Sequence, residues 1–428
     1  MLSLLGILGA VLATGVYVGT DDDDVIQGSD ERDDIDAGAG NDRVAGGKAN
    51  DVIDGGDGND TLYGQVGKDT LTGGDGDDKL LGGLGDDILM GGDGDDRIFD
   101  RSGYNTFNSG AGDDRIFAAD GDITAGAGED RVFIKDGTGI YRLGQDDDLL
   151  IARGTGDATA FGNDGNDRIF TSVGDDRIHM GEGDDFARAG AGNDQLRGGG
   201  GDDELLGGTG KDRIYAGDGD DALDGGWGPD RLRGEDGDDV LAGGGGFDRL
   251  WGGAGEDALY GGYGRDLLYG GDDDDVLIGN IGVDEDTGAL LDNTDPRDRA
   301  DVLFGEDGDD VFILGAGDEA TGGEGTDGFA IDALRNDTVP VITDFEPTSE
   351  AIVFYHDQAG LDTTETLSTS LVSADNGQST TVMVTKSTTD GASDESWAAV
   401  TLRGVALEDA TDITVEIVPL DENGNLAL

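Results

Sequence analysis

The sequence contains no cysteine, so neither a disulfide framework nor a thiolate metal site can hold it together. It has only two histidines, His179 and His356, and no H-E-x-x-H, which excludes a zincin-type protease. No G-x-S-x-G occurs either, which removes the usual serine-hydrolase elbow. Basic residues are scarce: 27 Lys+Arg stand against 97 Asp+Glu, for a formal net charge of -70. Such a chain repels phosphates, which argues against nucleic acid as a partner. Low hydrophobicity with high charge of one sign leaves a polypeptide disordered unless something neutralises it. An excess of carboxylates favours hard cations, Ca²⁺ among them. Without disulfides, an extracellular protein needs another staple, and bound metal can serve.

What the chain has in abundance is glycine, 83 residues, and it is periodic. Cut every nine residues from Gly19, the sequence reads GTDDDDVIQ, GSDERDDID, AGAGNDRVA, GGKANDVID, GGDGNDTLY and onward for eleven units in unbroken phase to Phe117. A second block runs in phase for thirteen units from Gly162 to Ile278, with units such as GGTGKDRIY and GGWGPDRLR. Position six is Asp in 10 of the first eleven units, Asn105 being the exception, and in all thirteen of the second block. Position eight is apolar in every unit, from Ile26 to Leu277. Strand alternation then turns position eight inward and positions seven and nine outward.

These units resemble the RTX repeat, G-G-x-G-x-D-x-U-x. The resemblance covers about residues 19–330. It implies an all-β fold, a right-handed parallel β-roll in which six residues turn and three form a short strand. Two nonapeptides make an 18-residue coil, and the coils stack into two parallel sheets. It further implies Ca²⁺ between stacked turns, roughly one ion per regular repeat, held by position-six carboxylates and turn carbonyls. The carboxylates matching that place are Asp24, Asp33, Asp42, Asp51, Asp60, Asp69, Asp78, Asp87, Asp96, Asp114 and Asp130, then Asp167, Asp176, Asp185, Asp194, Asp203, Asp212, Asp221, Asp230, Asp239, Asp248, Asp257, Asp266 and Asp275, and finally Asp301, Asp310 and Asp327. The physical chemistry agrees: carboxylate and carbonyl oxygens are what Ca²⁺ takes, and one apolar side chain per nine residues is a thin core against the entropy of ordering the chain. Ion binding supplies folding free energy directly.

The organisation follows from where the pattern fails. Residues 1–18, MLSLLGILGAVLATGVYV, are uncharged and mostly apolar, and three readings stay open: an atypical signal, an anchor, or an apolar cap on the first coil. Residues 19–117 are the first regular block. Residues 118–161 are degenerate: AADGDIT is two residues short, Phe161 reads as an insertion, and Asp130, Asp148 and Asp157 keep the position-six place where Gly139 does not. This stretch is expected to be roll with fewer ions or a kink. Residues 162–278 form the second block, 279–295 a polar insertion, and 296–330 the terminal units. From Ile331 to Leu428 glycine falls and Thr, Ser and Val rise, as in a β-rich cap. VITDFEPTSEAIVFY resembles the segment closing the roll in serralysin-type proteins, which implies a C-terminal signal read by a type I exporter.

The outward positions carry something the repeat does not require. Units 18 residues apart share a sheet, and in the second block one sheet shows Arg177, Arg197, Arg213, Tyr215, Arg231, Arg233, Arg249 and Trp251 outward, without an acid. In the first block one face carries Arg43, Lys79, Arg97, Phe99, Arg115 and Phe117, the other Asp34, Asp36 and Asp54. Like charges stacked about 4.8 Å apart need compensation. Neighbouring turn aspartates, packing against another roll, and an external polyanion such as an acidic polysaccharide, with Arg forking onto its anions and aromatics stacking on sugar rings, all answer that need. The expected function is a secreted, calcium-folded binding or structural protein at the cell surface. The alternative is a calcium-dependent polysaccharide-modifying enzyme of the epimerase or lyase kind, whose site the sequence does not reveal.

Overall fold

The computed structural model describes residues 15–279, 299–332, 339–347, 349–356, 365–374, 379–388, 394–403, 405 and 414–419. The polar insertion and most of the apolar N-terminal segment lie outside them. The described chain is all strand and turn, and it forms two compact units, Met1–Gly208 and Thr209–Leu428.

In the first unit the nonapeptides alternate between two parallel sheets. One runs from Val16–Thr20 through Asp34–Gly38, Val52–Asp57 and Thr70–Asp75 to Gln195–Gly200. The other runs from Val25–Gln27 through Arg43–Lys48 and Thr61–Val66 to Phe186–Gly192. Register follows the coil: Ile35 faces Ile53, and Leu62 faces Leu80. Position eight points inward and is fully buried at Ile53, Leu62, Leu71, Leu80 and Leu89. The strands are longer than the three residues the resemblance implies. Arg43–Lys48 spans six, because the parallel ladder continues through Gly47↔Gln65 and Lys48↔Val66. Glycine is required where coils touch: Gly56 and Gly58 have φ of 101° and 129°, and a Cβ on either would strike the carbonyl oxygen of Gly38 or Gly40 one coil below.

The degenerate stretch stays in the ladder. Gly121–Ala127, Gly139–Gln145 and Ala158–Asp164 pair in parallel, as do Arg131–Ile134 and Leu149–Ala152. Phe161 is not an insertion: it holds an outward strand place and stacks on His179, with ring centroids 5.2 Å apart. The extra residue sits in the preceding turn, so Ala158 takes the position-six place and Asp157 the exposed one before it. Here the inward side of position one is hydrocarbon rather than glycine, at Ala118, Ala125, Ile134, Leu143 and Ala152, all buried.

The second unit repeats the two-sheet coil from Arg213–Asp218 and Ala222–Trp227 onward. Its ladder closes over the polar insertion, since Leu268 faces Leu303 and Leu277 faces Phe312. Beyond the last coil Val341–Ile342 pairs with Asp394–Arg403, which continues antiparallel into Ser379–Thr388 and Glu365–Ala374. Ala351–His356 pairs with Thr414–Pro419 in the other sheet. Phe312, Phe329 and Phe345 fill the interior beneath.

Candidate metal centre

Every position-six aspartate named above is buried. The turn that carries it holds it by its backbone and by the next coil. The Asp24 N–H donates to Asp42 Oδ1 at 2.6 Å, Asp42 to Asp60 at 2.7 Å, Asp60 to Asp78 at 2.6 Å and Asp78 to Asp96 at 2.8 Å. This column continues without a break through Asp114, Asp130, Asp148, Asp167 and Asp185 to Asp203. The opposite column runs from Asp33 to Asp87 and ends on Asn105, which accepts the Asp87 N–H at 2.7 Å. It is then interrupted, Gly121, Gly139 and Ala158 occupying the carboxylate's place, and resumes from Ala158 to Asp176 and Asp194. In the second unit Asp212 leads through Asp230, Asp248 and Asp266 to Asp301, and Asp221 through Asp239, Asp257, Asp275 and Asp310 to Asp327.

Along the columns Oδ1 takes the next coil's N–H; at the ends Oδ2 is also used, by Thr20 at Asp24, by Ser29 at Asp33 and by the Gly315 N–H at Asp318. Oδ2 of Asp60, Asp78, Asp96, Asp148, Asp230, Asp239 and Asp275 is buried with no hydrogen-bond partner. Among the described residues no lysine or arginine pairs with Asp60, Asp78 or Asp96, and the ion pairs Lys48–Asp30 and Lys68–Asp86 lie at exposed positions. The orphan oxygen faces a second oxygen. A Cβ on Gly64 would stand 2.5 Å from Asp69 Oδ2 and 2.6 Å from the Gly82 carbonyl oxygen, so both converge where glycine leaves room. The same convergence recurs at Gly73, between Asp78 Oδ2 and the Gly91 carbonyl, and at Gly270, between Asp275 Oδ2 and the Gly305 carbonyl.

A buried carboxylate without a counter-charge resists ionisation. Burial, opposed by the backbone N–H and reinforced by carboxylates in neighbouring coils, raises Asp78 to about 7, Asp96, Asp148 and Asp275 to about 8, and Asp248 to about 9. A cation at the orphan oxygens removes that penalty. The donor set is entirely carboxylate and carbonyl oxygen, with no thiol in the chain and His179 turned outward against Phe161. That set fits a hard divalent ion of flexible geometry, Ca²⁺ rather than zinc or copper.

Sequence reasoning missed part of this arrangement. Asp318 belongs to the columns, as does Asp148, which the sequence placed at position six, and Asp100 is buried beside Asp87, displacing a glycine at position one. Position five builds a second ladder of opposite sense. The Asn41 N–H donates to Asp23 Oδ1 at 2.9 Å, Asn59 to Asn41 at 2.9 Å, Asp77 to Asn59 at 3.0 Å and Asp95 to Asp77 at 3.1 Å. Its signal was the recurrence of Asn and Asp just before the position-six Asp.

The outward basic residues also fall into rows. In the second unit Arg213 faces Arg231 and Arg231 faces Arg249, while Tyr215 faces Arg233 and Arg233 faces Trp251. Arg177 and Arg197 stand in the first unit, Arg177 opposite Gln195 and Arg197 opposite His179.

The RTX calcium-binding nonapeptide repeat profile matches residues 18–53, 54–89, 90–122, 153–187, 179–214, 197–232, 233–262, 251–285 and 297–318. Its gap after residue 122 falls where the second carboxylate column is interrupted. No curated protein matches the chain.

Proposed function

Because the chain belongs to the RTX calcium-binding nonapeptide-repeat family, we propose that it is a secreted protein that stays unfolded at the low calcium of the cytosol, passes a type I exporter in that state, and folds on Ca²⁺ outside the cell into a binding or structural scaffold at the cell surface. One observation carries the reading: the stacked columns of buried aspartates, in which Oδ2 of Asp60, Asp78, Asp96, Asp148, Asp230, Asp239 and Asp275 has no hydrogen-bond partner. Without a cation these columns hold uncompensated charge in the interior, which is strongly unfavourable. When bound, Ca²⁺ neutralises that charge and links successive coils through oxygens already converged. The position-six carboxylates would supply the acidic ligands and the position-one carbonyls the neutral ones. A formal charge of -70 adds self-repulsion that the ions also relieve.

The test is a calcium titration followed by far-UV circular dichroism and hydrodynamic radius. Chelated protein is expected to read as an expanded coil. Millimolar Ca²⁺ is expected to produce β signal and compaction together, in a cooperative transition. Equal β content with and without chelator would refute the proposal.

A further inference from the structure

The second unit presents a recess of about 350 Å³ on the outside of one sheet, lined by Tyr215, Arg231, Arg233, Arg249 and Trp251. Three guanidinium groups therefore converge on the surface of a strongly acidic chain. Among the described residues Arg231 and Arg249 have no ion-pair partner, so neighbouring turn aspartates do not neutralise them. Arg233 is held differently. Its guanidinium lies over the Trp251 ring at 4.9 Å and over the Tyr215 ring at 5.8 Å, between the two coils that carry them. Trp251 is stacked in turn on Tyr269, 5.7 Å away and 3° from parallel, and Tyr269 on Phe304 at 5.0 Å. The aromatic column is thus a closed stack that fixes the direction of one arginine. Both faces of Trp251 and of Tyr269 are taken, so these rings do not offer platforms for sugar rings.

We propose that this recess binds the carboxylate or sulfate groups of an acidic polysaccharide. The proposal rests on calcium-driven folding, because the row exists only when the coils stack. Arg213, Arg231 and Arg249 stand opposite one another in successive strands, about 4.8 Å apart. That spacing is close to the advance of one sugar ring along a linear polysaccharide, and each planar fork matches a carboxylate or sulfate. Single-stranded nucleic acid fits less well, because its bases need open aromatic faces, and both faces of Trp251 are covered. An extended acidic peptide repeats its same-side carboxylates about 6.6 Å apart, out of step with the strands.

The experiment is calorimetric titration of the full chain in calcium, with folding followed in parallel by circular dichroism. The probes are oligogalacturonate, a sulfated oligosaccharide, neutral dextran, oligo-dT and an oligoglutamate of equal charge. An acidic oligosaccharide is expected to bind, to weaken with salt, and to lose roughly tenfold or more in affinity when Arg231→Ser and Arg249→Ser are combined. Arg231→Lys with Arg249→Lys keeps the charge without the fork and is expected to fall between. Trp251→Phe is expected to preserve binding where Trp251→Ala weakens it, which separates holding Arg233 from mere stability. Arg168→Ser with Arg188→Ser, on the other sheet, is expected to leave binding unchanged. A folded parent that binds neither acidic oligosaccharide, that binds oligo-dT or oligoglutamate as tightly, or that matches its Arg231/Arg249 variant overturns the proposal. A chain that stays unstructured in calcium overturns the folding reading as well, and circular dichroism distinguishes that failure from the others.

Discussion

Replacing Asp78 by Asn should move the metal-free and the calcium-loaded protein in opposite directions. Asp78 is 2% exposed, its Oδ1 accepts the Asp60 N–H at 2.6 Å, and its Oδ2 has no partner. Burial raises its pKa from 3.8 to about 7. A carboxyl raised on folding destabilises the fold once it ionises, and a shift of that size corresponds to about 4 kcal/mol at neutral pH. Asn keeps the acceptor for Asp60 and removes the charge. Its amide occupies the place of Oδ2, where the Gly91 carbonyl is available to accept. The chain already holds an amide in this place at Asn105, whose Oδ1 accepts the Asp87 N–H, its Nδ2 donating to the Ser102 carbonyl of its own turn at 3.1 Å. In chelator, Asp78→Asn should therefore lower the osmolyte concentration needed to drive folding. In saturating calcium it should lower the urea midpoint and remove bound ion, because a charged ligand is gone. Asp78→Ala should lose stability in both conditions, since it also strands the Asp60 N–H. The assays are circular dichroism against sucrose in chelator, urea melts in calcium, and ion counting against a chromophoric chelator. If Asp78→Asn destabilises both states, the column is not a store of uncompensated charge and the reasoning fails.

The same carboxyls set a pH dependence. Asp96, Asp148 and Asp275 are raised to about 8, so the metal-free roll is most stable below the unfolded value near 4 and loses that contribution as pH rises through 8. Acidifying the chelated chain from pH 8 to 5 should therefore add β signal by circular dichroism, while the calcium midpoint shifts upward as protons compete; β content unchanged or lower at pH 5 would contradict the burial argument. The 18-residue coil predicts coupling of about 1 kcal/mol or more between Asp60→Ala and Asp78→Ala in a double-mutant cycle, and near zero between Asp60→Ala and Asp69→Ala, whereas equal couplings would disprove the register. Tyr141 is fully buried with its hydroxyl unpartnered, so Tyr141→Phe should raise stability in calcium by about 1 kcal/mol, and a lower urea midpoint would reveal a partner for that hydroxyl.

The repeat made the two-sheet coil legible because columns six and eight each answer to one environment. Asp24 through Asp203 and Ile53 through Leu89 occupy identical surroundings coil after coil, so composition alone exposes them. The outward rows were legible for the same reason, since residues 18 apart face one another, as Arg231 does Arg249. Position one was not. Glycine there looks like turn chemistry, yet the place points inward beside the carboxylate, and its meaning is visible only where Ile134 or Leu143 fills it. The shift around Phe161 was misread because counting by nines assigns an extra residue to the strand. Turns absorb length more easily than ladders do, so the strand kept its phase. The second role of the aromatics was hidden too: that Trp251 clasps Arg233 depends on a stacking direction the sequence does not encode locally.

Asp266 and Asp301 are consecutive rungs although 35 residues separate them, whereas Asp114 and Asp130 are 16 apart and Asp148 and Asp167 are 19 apart. The roll is thus indifferent to how much chain a turn contains and strict about which sheet the next strand joins. This sets a rule for how such a gene can lengthen or shorten. Duplicating or deleting two adjacent nonapeptides leaves every downstream residue on its own face. Gaining or losing a single nonapeptide would exchange the faces of everything that follows. A lone nine-residue deletion between Arg213 and Arg231 would break the row at that point, parting Arg213 from Arg231 while every individual repeat still read correctly. Parity, rather than the quality of any one repeat, is what selection on such a surface must guard.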